Sequence, residues 1–563
     1  MLQTGVTVGG LLFCMRPALY RCHCAEVHST ALSRRIARGM HTDNPHVSTP
    51  LTWRRACGLA ALSGVLLILP FRIEAAFPVT WVALLPLLVA IRGQRLRRAA
   101  LLGLVAGTVA HLLGVYWLIG TMVRFGGVPA GISFILYLLI ATAFGTIYIP
   151  FTLGCRLLPD KCLEATMPGA LFIAAAYSTS EYIFPGLFPW RIGYSQIHIL
   201  PLAQIADVTG ADGLTFLTAL GSAVLYQLLG AYQRRSQPWP WLSVLSLAML
   251  LAAAFGYGAP RLVTVRERLS GSEMLRVALL QPNVPFDEKF DPALADRNIA
   301  QLFNMSASAA ADKATLIVWP ETGYRHPLVS STERLDLPVS IPANSFLYVG
   351  ANVFELRDGG YNAYNSLLAV AADGTVLGRY DKHRLFPFGE YMPYSDVFPA
   401  LKKISEAISD FKAGSGPLIQ QFPDGTVAGP LICYEDIFPG LSRQAVLSGA
   451  RLLVNVTNDA WFGDTAAPHQ HLQLALFRSI ENRIPMVRAT NTGVTAIISP
   501  TGEISRRAPA YSETAVIDDV PLLQMRTFYN RHGDVFAVAC LLGVLVTLAW
   551  QLWRRNTEAR AVK

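Results

Sequence analysis

Seven apolar stretches, at roughly 57–71, 75–91, 99–119, 129–153, 167–185, 213–231 and 240–258, occupy most of the first half of the chain. A helix needs about 20 apolar residues to cross a hydrocarbon core, and most of these runs are long enough. Inside a bilayer the backbone has no water to bond to, so helices or a closed barrel are the available solutions. An eighth apolar run, 535–553, lies near the C-terminus. Composition agrees: 52% hydrophobic and 15% charged residues, with a mean hydropathy of +0.37, exclude an ordinary soluble chain of 563 residues. The formal net charge of +9 does not indicate nucleic acid, because the arginines fall in short clusters between apolar runs rather than in one basic domain.

Those clusters set the orientation. Arg54 and Arg55 precede the first run, Arg92, Arg95, Arg97 and Arg98 follow the second, Arg156 and Lys161 follow the fourth, and Arg234 and Arg235 follow the sixth. The alternate loops carry only Arg72, Arg124 and Arg191. By the positive-inside rule the N-terminus is cytoplasmic, and the chain emerges on the far side after the seventh run. In a bacterium this makes a multi-pass inner-membrane protein with an outer domain in the periplasm. Arg554 and Arg555 return the C-terminus to the cytoplasm. The expected plan is therefore a cytoplasmic, disordered extension over 1–52, a seven-span membrane domain over 53–260, an outer domain over 262–530, a last span over 535–553 and a cytoplasmic tail over 554–563. Within the extension, Cys22, His23, Cys24 and His28 lack the spacing of a closed four-ligand metal site and read as part of a tail.

Residues 262–530 have normal charge density and alternating strand and helix signals. Strands are expected at 275–281, 315–319, 345–350, 366–371, 376–380, 427–433, 452–457, 486–490 and 495–499, with Asp373-Gly374 as a hairpin turn. This pattern predicts an α/β sandwich. Three segments place ionisable residues at expected strand ends: Glu321 in LIVWPET, Lys382 and Glu390 in YDKHRLFPFGEYMP, and Cys433 in GPLICYE. Cys433 is the only cysteine between Cys162 and Cys540, so it is either a small buried hydrophobe or a free reactive thiol. A thiol attacks acyl carbon as thiolate and needs a base; a carboxylate serves, and an ammonium stabilises both thiolate and oxyanion.

The order Glu321, Lys382, Cys433 in these contexts resembles the nitrilase superfamily, whose Glu-Lys-Cys triad sits on a four-layer αββα sandwich. More narrowly, the chain is similar to the apolipoprotein N-acyltransferase family from about Cys57 to the last span. The motifs are WPE at 319–321, YDKHRLFPFGEYMP at 380–393, CYE at 433–435, TNDAWF at 457–462 and ENRIPMVRATNTG at 481–493. The resemblance implies Glu321 as general base, Lys382 as oxyanion stabiliser and Cys433 as nucleophile. It also implies that Glu390 tunes Lys382 and that Tyr434 and Glu435 complete the pocket, with the Tyr434 N–H as an oxyanion donor. Phe290 stands where the family commonly has Trp, which keeps an aromatic ring and loses the indole N–H. Trp461, Phe462, Phe386, Phe388 and Tyr391 are candidates for an acyl groove or lid. The implied reaction carries an acyl chain from a phospholipid, chiefly phosphatidylethanolamine, through a Cys433 thioester to the α-amine of a diacylglyceryl apolipoprotein, without metal or organic cofactor. A membrane-tethered amidase or nitrilase that gives its acyl-enzyme to water is the alternative, and a non-catalytic scaffold is a third.

Within the membrane section, His111 and Glu181 are ionisable groups in apolar runs, where such groups are functional suspects. Trp190 and Arg191, on an expected outer loop, read as headgroup contacts or interfacial anchors.

Overall fold

The computed structural model describes residues 50–184, 188–234, 237–339, 341–392, 395, 410–416 and 418–561; Arg235, Pro393 and residues 1–49 of the expected N-terminal tail, with Cys22, His23, Cys24 and His28, lie outside them. Among the described residues seven helical segments are long and apolar enough to cross a membrane: Trp53–Phe71, Glu74–Ile91, Leu96–Gly114, Ala130–Leu157, Ala211–Gln233, Trp241–Ser270 and Val535–Glu558. The protein is a multi-pass membrane protein. The fifth apolar run forms a shorter helix, Met167–Ile183, of 17 residues. That length is near the lower limit for a crossing, and the helix packs against Ala211–Gln233 and Val535–Ala561.

Several expected spans are broken where proline or glycine interrupts them. The second opens as a 3-10 helix, Glu74–Trp81, with Pro78 inside, before an α-helical stretch, Leu85–Ile91; proline lacks the N–H that would continue an α-helix. The third stops at Gly114 rather than near 119, and a separate short helix, Leu118–Arg124, follows. The fourth breaks between Ala130–Gly145 and Tyr148–Leu157, just ahead of Pro150. Close packing replaces hydrophobic drive between these helices. A Cβ added to Gly107 would lie 2.2 Å from the Gly145 carbonyl oxygen, so glycine is what lets the two backbones touch.

Two sheets follow. The first contains β1 (Glu273–Gln281), β2 (Leu316–Val318), β3 (Tyr324–Val329), β4 (Phe346–Arg357), β5 (Gly360–Ala371) and β6 (Val376–Asp381). The second contains β7 (Gln420–Gln421), β8 (Val427–Ile432), β9 (Leu452–Thr457), β10 (Met486–Thr490), β11 (Ala496–Ile498) and β12 (Ile504–Arg507). The last strand, β13 (Thr514–Leu522), returns to pair with β1, giving the order β13-β1-β2-β4-β5-β6 with β3 beside β4; the second sheet runs β12-β11-β10-β9-β8-β7. In each sheet the central strands are parallel, β1, β2 and β4 in one and β8, β9 and β10 in the other.

Alternation along β1 explains the layering. Leu275, Val277 and Leu279 join the core shared with the second sheet, whereas Ala278 and Leu280 pack on Ile299, Leu302 and Phe303 of the outer helix Ala295–Ala311. Helices Pro439–Leu447 and Ala467–Asn482 cover the other side, which makes an αββα sandwich. The expected strands 345–350 and 366–371 prove to be the inner halves of a longer hairpin, because β4 and β5 continue through Glu355, Arg357 and Tyr361. Beyond Val353 the hairpin residues are half-buried or exposed, and Glu355 and Arg357 interrupt the apolar ones, so no hydrophobic alternation marks this outer half. Strand β3 was not anticipated for the same reason.

The sandwich is clamped to the membrane section through Asp207. Its Oδ2 accepts from Arg261 Nε at 2.8 Å and from Arg483 Nε and Nη2 at 3.0 and 2.9 Å, and Tyr257 Oη donates to Oδ1 at 2.7 Å. Arg483 and Asp207 are both buried. Removing one member of a buried pair leaves the other charge uncompensated and costs about 3–5 kcal/mol. Asp207→Ala is therefore expected to lower the thermal midpoint of the detergent-purified protein by several degrees; an unchanged midpoint would show that the clamp does not stabilise it.

Candidate active site

Parallel strands end together, so whatever follows β2, β6 and β8 is presented on one edge of the sandwich. Beyond β2, Trp319 and Pro320 lead into Glu321. A Cβ on Gly350 of β4 would lie 2.4 Å from the Pro320 carbonyl oxygen and 3.0 Å from the Glu321 Cα, so the turn crosses β4 only because that position is glycine. Thr322 is held at φ +47. Lys382 follows β6 directly, and Cys433 follows β8 with φ +55, an uncommon conformation for a residue with a Cβ. Such strain gathers at functional sites because surrounding structure must hold it in place.

Lys382 is 1% exposed and lies 2.9 Å from Glu390 Oε2 and 3.4 Å from Glu321 Oε1. Burial alone would lower its ammonium, but Glu390 and Glu321 outweigh that and hold it well above the usual lysine range. Asn365 on β5 donates from one amide to both acids, 2.7 Å to Glu321 Oε1 and 2.7 Å to Glu390 Oε1. Glu390 Oε2 also accepts from the Phe386 N–H at 2.7 Å, which closes the 386–390 turn. The other oxygen of Glu321, Oε2, is buried and accepts no hydrogen bond. Burial, and then the Glu321 charge, push the Cys433 thiol well above its ordinary value, against the pull of Lys382. The resting thiol is therefore protonated, and the carboxylate beside it has an unused oxygen.

Glu435 does not line the pocket. Its carboxylate lies fully buried and accepts from the N–H groups of Ile432, His383 and Arg384 at 2.7, 2.8 and 2.9 Å and from Tyr380 Oη at 3.0 Å. Burial pushes this carboxyl up to about 7, opposed by those donors. Its work is to tie the strand end bearing Lys382 to the turn bearing Cys433. Tyr434 Oη donates to the Leu385 carbonyl at 2.5 Å, and the Tyr434 ring lies 5.5 Å from Lys382 Nζ.

Behind Cys433 lies a buried network that sequence reasoning did not find. His471 Nε2 is 2.9 Å from Asp436 Oδ1, and its Nδ1 is 3.0 Å from Asp459 Oδ1. Arg488 Nε donates to Asp436 Oδ2 at 3.2 Å. Burial opposes the imidazolium, yet the two aspartates hold His471 above its usual value. The network joins the Cys433–Ile437 turn to the Asp459–Phe462 turn. Asn365 was equally missed; β5 also carries Asn362 and Ser366, so no local signal sets this amide apart.

The expected aromatics divide. Trp461 meets Phe286, Phe290 and Phe125 of the membrane section, Phe462 is buried against Trp117, and Phe386 packs edge-on to Tyr434. Phe388 is exposed. A small, mainly apolar cavity, lined by Trp117, Phe188, Trp190, Phe462 and His471 among others, lies between the two sections. Arg191, expected at the headgroups, is instead buried and paired with Asp212 at 3.2 Å, and Trp190 packs on Phe71 and His111. Glu181 is also buried, accepting from Ile192 N–H at 3.1 Å and Thr215 Oγ1 at 3.1 Å, while His111 Nδ1 meets the Gly107 carbonyl at 2.8 Å.

Because displacing a catalytic group by about 1 Å costs up to about 100-fold, Gly350→Ala should slow alkylation of Cys433 at least about tenfold with helix content retained. Equal alkylation rates would show that the Glu321 turn does not govern the thiol.

Residues 63–224 match the apolipoprotein N-acyltransferase N-terminal domain, and residues 276–529 match the carbon-nitrogen hydrolase domain. The apolipoprotein N-acyltransferase of Geobacter metallireducens is 37% identical over 510 residues, covering 89% of this chain and 96% of that one. The apolipoprotein N-acyltransferase of Ralstonia nicotianae is 33% identical, covering 90% of this chain and 95% of its own. Among solved structures, Saccharomyces cerevisiae Nit3, a member of branch 10 of the nitrilase superfamily, is 17% identical with a TM-score of 0.34, covering 46% of this chain and 95% of that one.

Proposed function

We infer a two-step acyl transfer from the premise that this chain belongs to the apolipoprotein N-acyltransferase family. It is a membrane acyltransferase with a nitrilase-superfamily catalytic domain, and its substrates are lipid and lipoprotein. The match of residues 63–224 to the N-terminal domain of these acyltransferases favours transfer to an amine over hydrolysis.

The observation that carries the mechanism is the asymmetry of Glu321: Oε1 is held by Asn365 and Lys382, and Oε2 is left without a partner, while the Glu321 charge acts on the Cys433 thiol. In the first step the Cys433 sulfur attacks the ester carbonyl of a phospholipid, by this reading phosphatidylethanolamine, as its proton passes to Glu321. The carbonyl oxygen takes up negative charge facing Lys382, with the Tyr434 N–H as a second donor. The ester C–O bond breaks, Glu321 returns the proton to the departing glycerol oxygen, and lysophospholipid leaves a thioester. In the second step the α-amine of the diacylglyceryl cysteine attacks the thioester carbonyl. Glu321 takes the amine proton, the C–S bond breaks, and the thiolate recovers a proton as the amide forms. Glu390 keeps Lys382 charged and aimed. Phe290, Trp461 and Phe462 form the apolar wall for the chain, and the exposed Phe388 is the lid residue.

Neither step needs an external cofactor, since every proton has a carrier in Glu321. The membrane section holds both lipid-anchored substrates at the height of the site. The arginine clusters support an inner-membrane topology with residues 262–530 in the periplasm.

Intact mass of the full-length protein incubated with phosphatidylethanolamine tests this reading. One fatty acyl adduct is expected on the wild type, removed by a diacylglyceryl-cysteine peptide, and none on Cys433→Ala. An adduct that survives in Cys433→Ala would remove Cys433 as nucleophile, and free fatty acid without peptide acylation would indicate hydrolysis.

A further inference from the structure

Two cations beside the catalytic turn have no carboxylate of their own. Lys289 is only 4% exposed, and its Nζ donates to the main-chain carbonyl of Glu321 at 2.9 Å. Arg325, at the start of β3, is half-buried with its guanidinium 4.7 Å from the centre of the Phe290 ring. Among the described residues neither forms an ion pair, and Arg325 donates no hydrogen bond. The nearby acid, Glu321, already faces Lys382, which also holds Glu390. Buried charges are ordinarily paired, because removing a lone ion from water is costly. Burial and then the neighbouring Arg325 charge lower the Lys289 ammonium to about 7, and burial also lowers Arg325. An anion placed between them would reverse both effects.

We propose that Arg325 and Lys289 form a phosphate subsite at the mouth of the catalytic pocket, which holds the phosphodiester of the acyl donor while its ester carbonyl faces Cys433. The inference rests on the phospholipid reading above and goes beyond it by assigning residues to the headgroup. Position and chemistry agree. Phe290 lies beneath the guanidinium and continues through Phe286 and Trp461 to Phe125 of the membrane section, so cationic and apolar surfaces meet here. A glycerophospholipid needs that combination, one charged group a few bonds from its ester and a long chain beyond it. A guanidinium suits phosphate because its donors are forked and it stays charged. The cation–π contact keeps the planar group in place when no anion is bound.

The test compares acyl-enzyme formation on the full-length protein from two donors: micellar phosphatidylethanolamine and a neutral p-nitrophenyl fatty acyl ester. Arg325→Gln should lower the phosphatidylethanolamine-to-neutral-ester ratio of half-saturation efficiencies about tenfold, the size of one lost charge-assisted contact, and Arg325→Lys should restore part of it. Inorganic phosphate, set against sodium chloride of equal ionic strength, separates the sources. Competition with phosphatidylethanolamine that weakens in Arg325→Gln means the subsite takes phosphate from either source. A lowered ratio without competition means it takes the lipid diester alone. An unchanged ratio in Arg325→Gln overturns the subsite. A wild type that reacts with the neutral ester and never with phosphatidylethanolamine overturns the phospholipid reading and the subsite with it.

Discussion

The burial of helix Ala467–Asn482 is the constraint on which the rest of the structure depends. Nearly every residue of it is buried, including Gln470, His471, Arg478, Glu481 and Asn482, so it is not an amphipathic surface helix with one wet side. One side packs on the second sheet and the other on the membrane section. Each polar side chain therefore needs a partner: Arg478 donates to the Ile437 carbonyl at 2.6 Å and to Glu481 at 2.7 Å, and Trp117 donates to Gln470 at 3.2 Å. The helix thereby links the Cys433–Ile437 turn, through Ile437 and Asp436, to the break in the membrane helices at residues 114–118.

This arrangement suits chemistry on membrane-anchored substrates. A soluble sandwich on a flexible tether would meet lipid esters in many orientations. Here the Asp207 clamp, the buried helix and the aromatic chain from Phe125 to Phe290 fix the sandwich against the membrane section. Glu321, Lys382 and Cys433 arise together because each follows a strand, β2, β6 and β8, at the same end of the sandwich.

The electrostatics of the site follow from burial. A dry pocket strengthens every charge interaction and makes each unpaired group expensive. Two carboxylates around Lys382 keep it charged, and one amide, Asn365, keeps those carboxylates apart from each other and aimed. Burial and the Glu321 charge favour the protonated form of the Cys433 thiol. A neutral resting thiol is also less exposed to oxidation than a thiolate.

Much of this was legible in the chain. Hydropathy marked the membrane helices, apolar runs ending in Glu321, Lys382 and Cys433 marked strand ends, and Asp373-Gly374 marked the β5–β6 turn. These are local signals, set by the run length a bilayer requires and by residues a turn accepts. What the chain did not reveal depends on partners far apart in sequence. Asn365 reads as an ordinary strand amide until Glu321 and Glu390 meet on it, and His471 as a helix polar until Asp436 and Asp459 arrive from two other turns. Arg191 looked like an interfacial anchor until its pairing with buried Asp212 appeared, and Lys289 and Arg325 become neighbours only when the 286–290 segment packs on the turn after β2. Sequence alone determined the class of fold and the chemical types at the strand ends, because both rest on local periodicity. Tertiary structure decided which charges are paired and which are left waiting, because pairing is a property of distance in space.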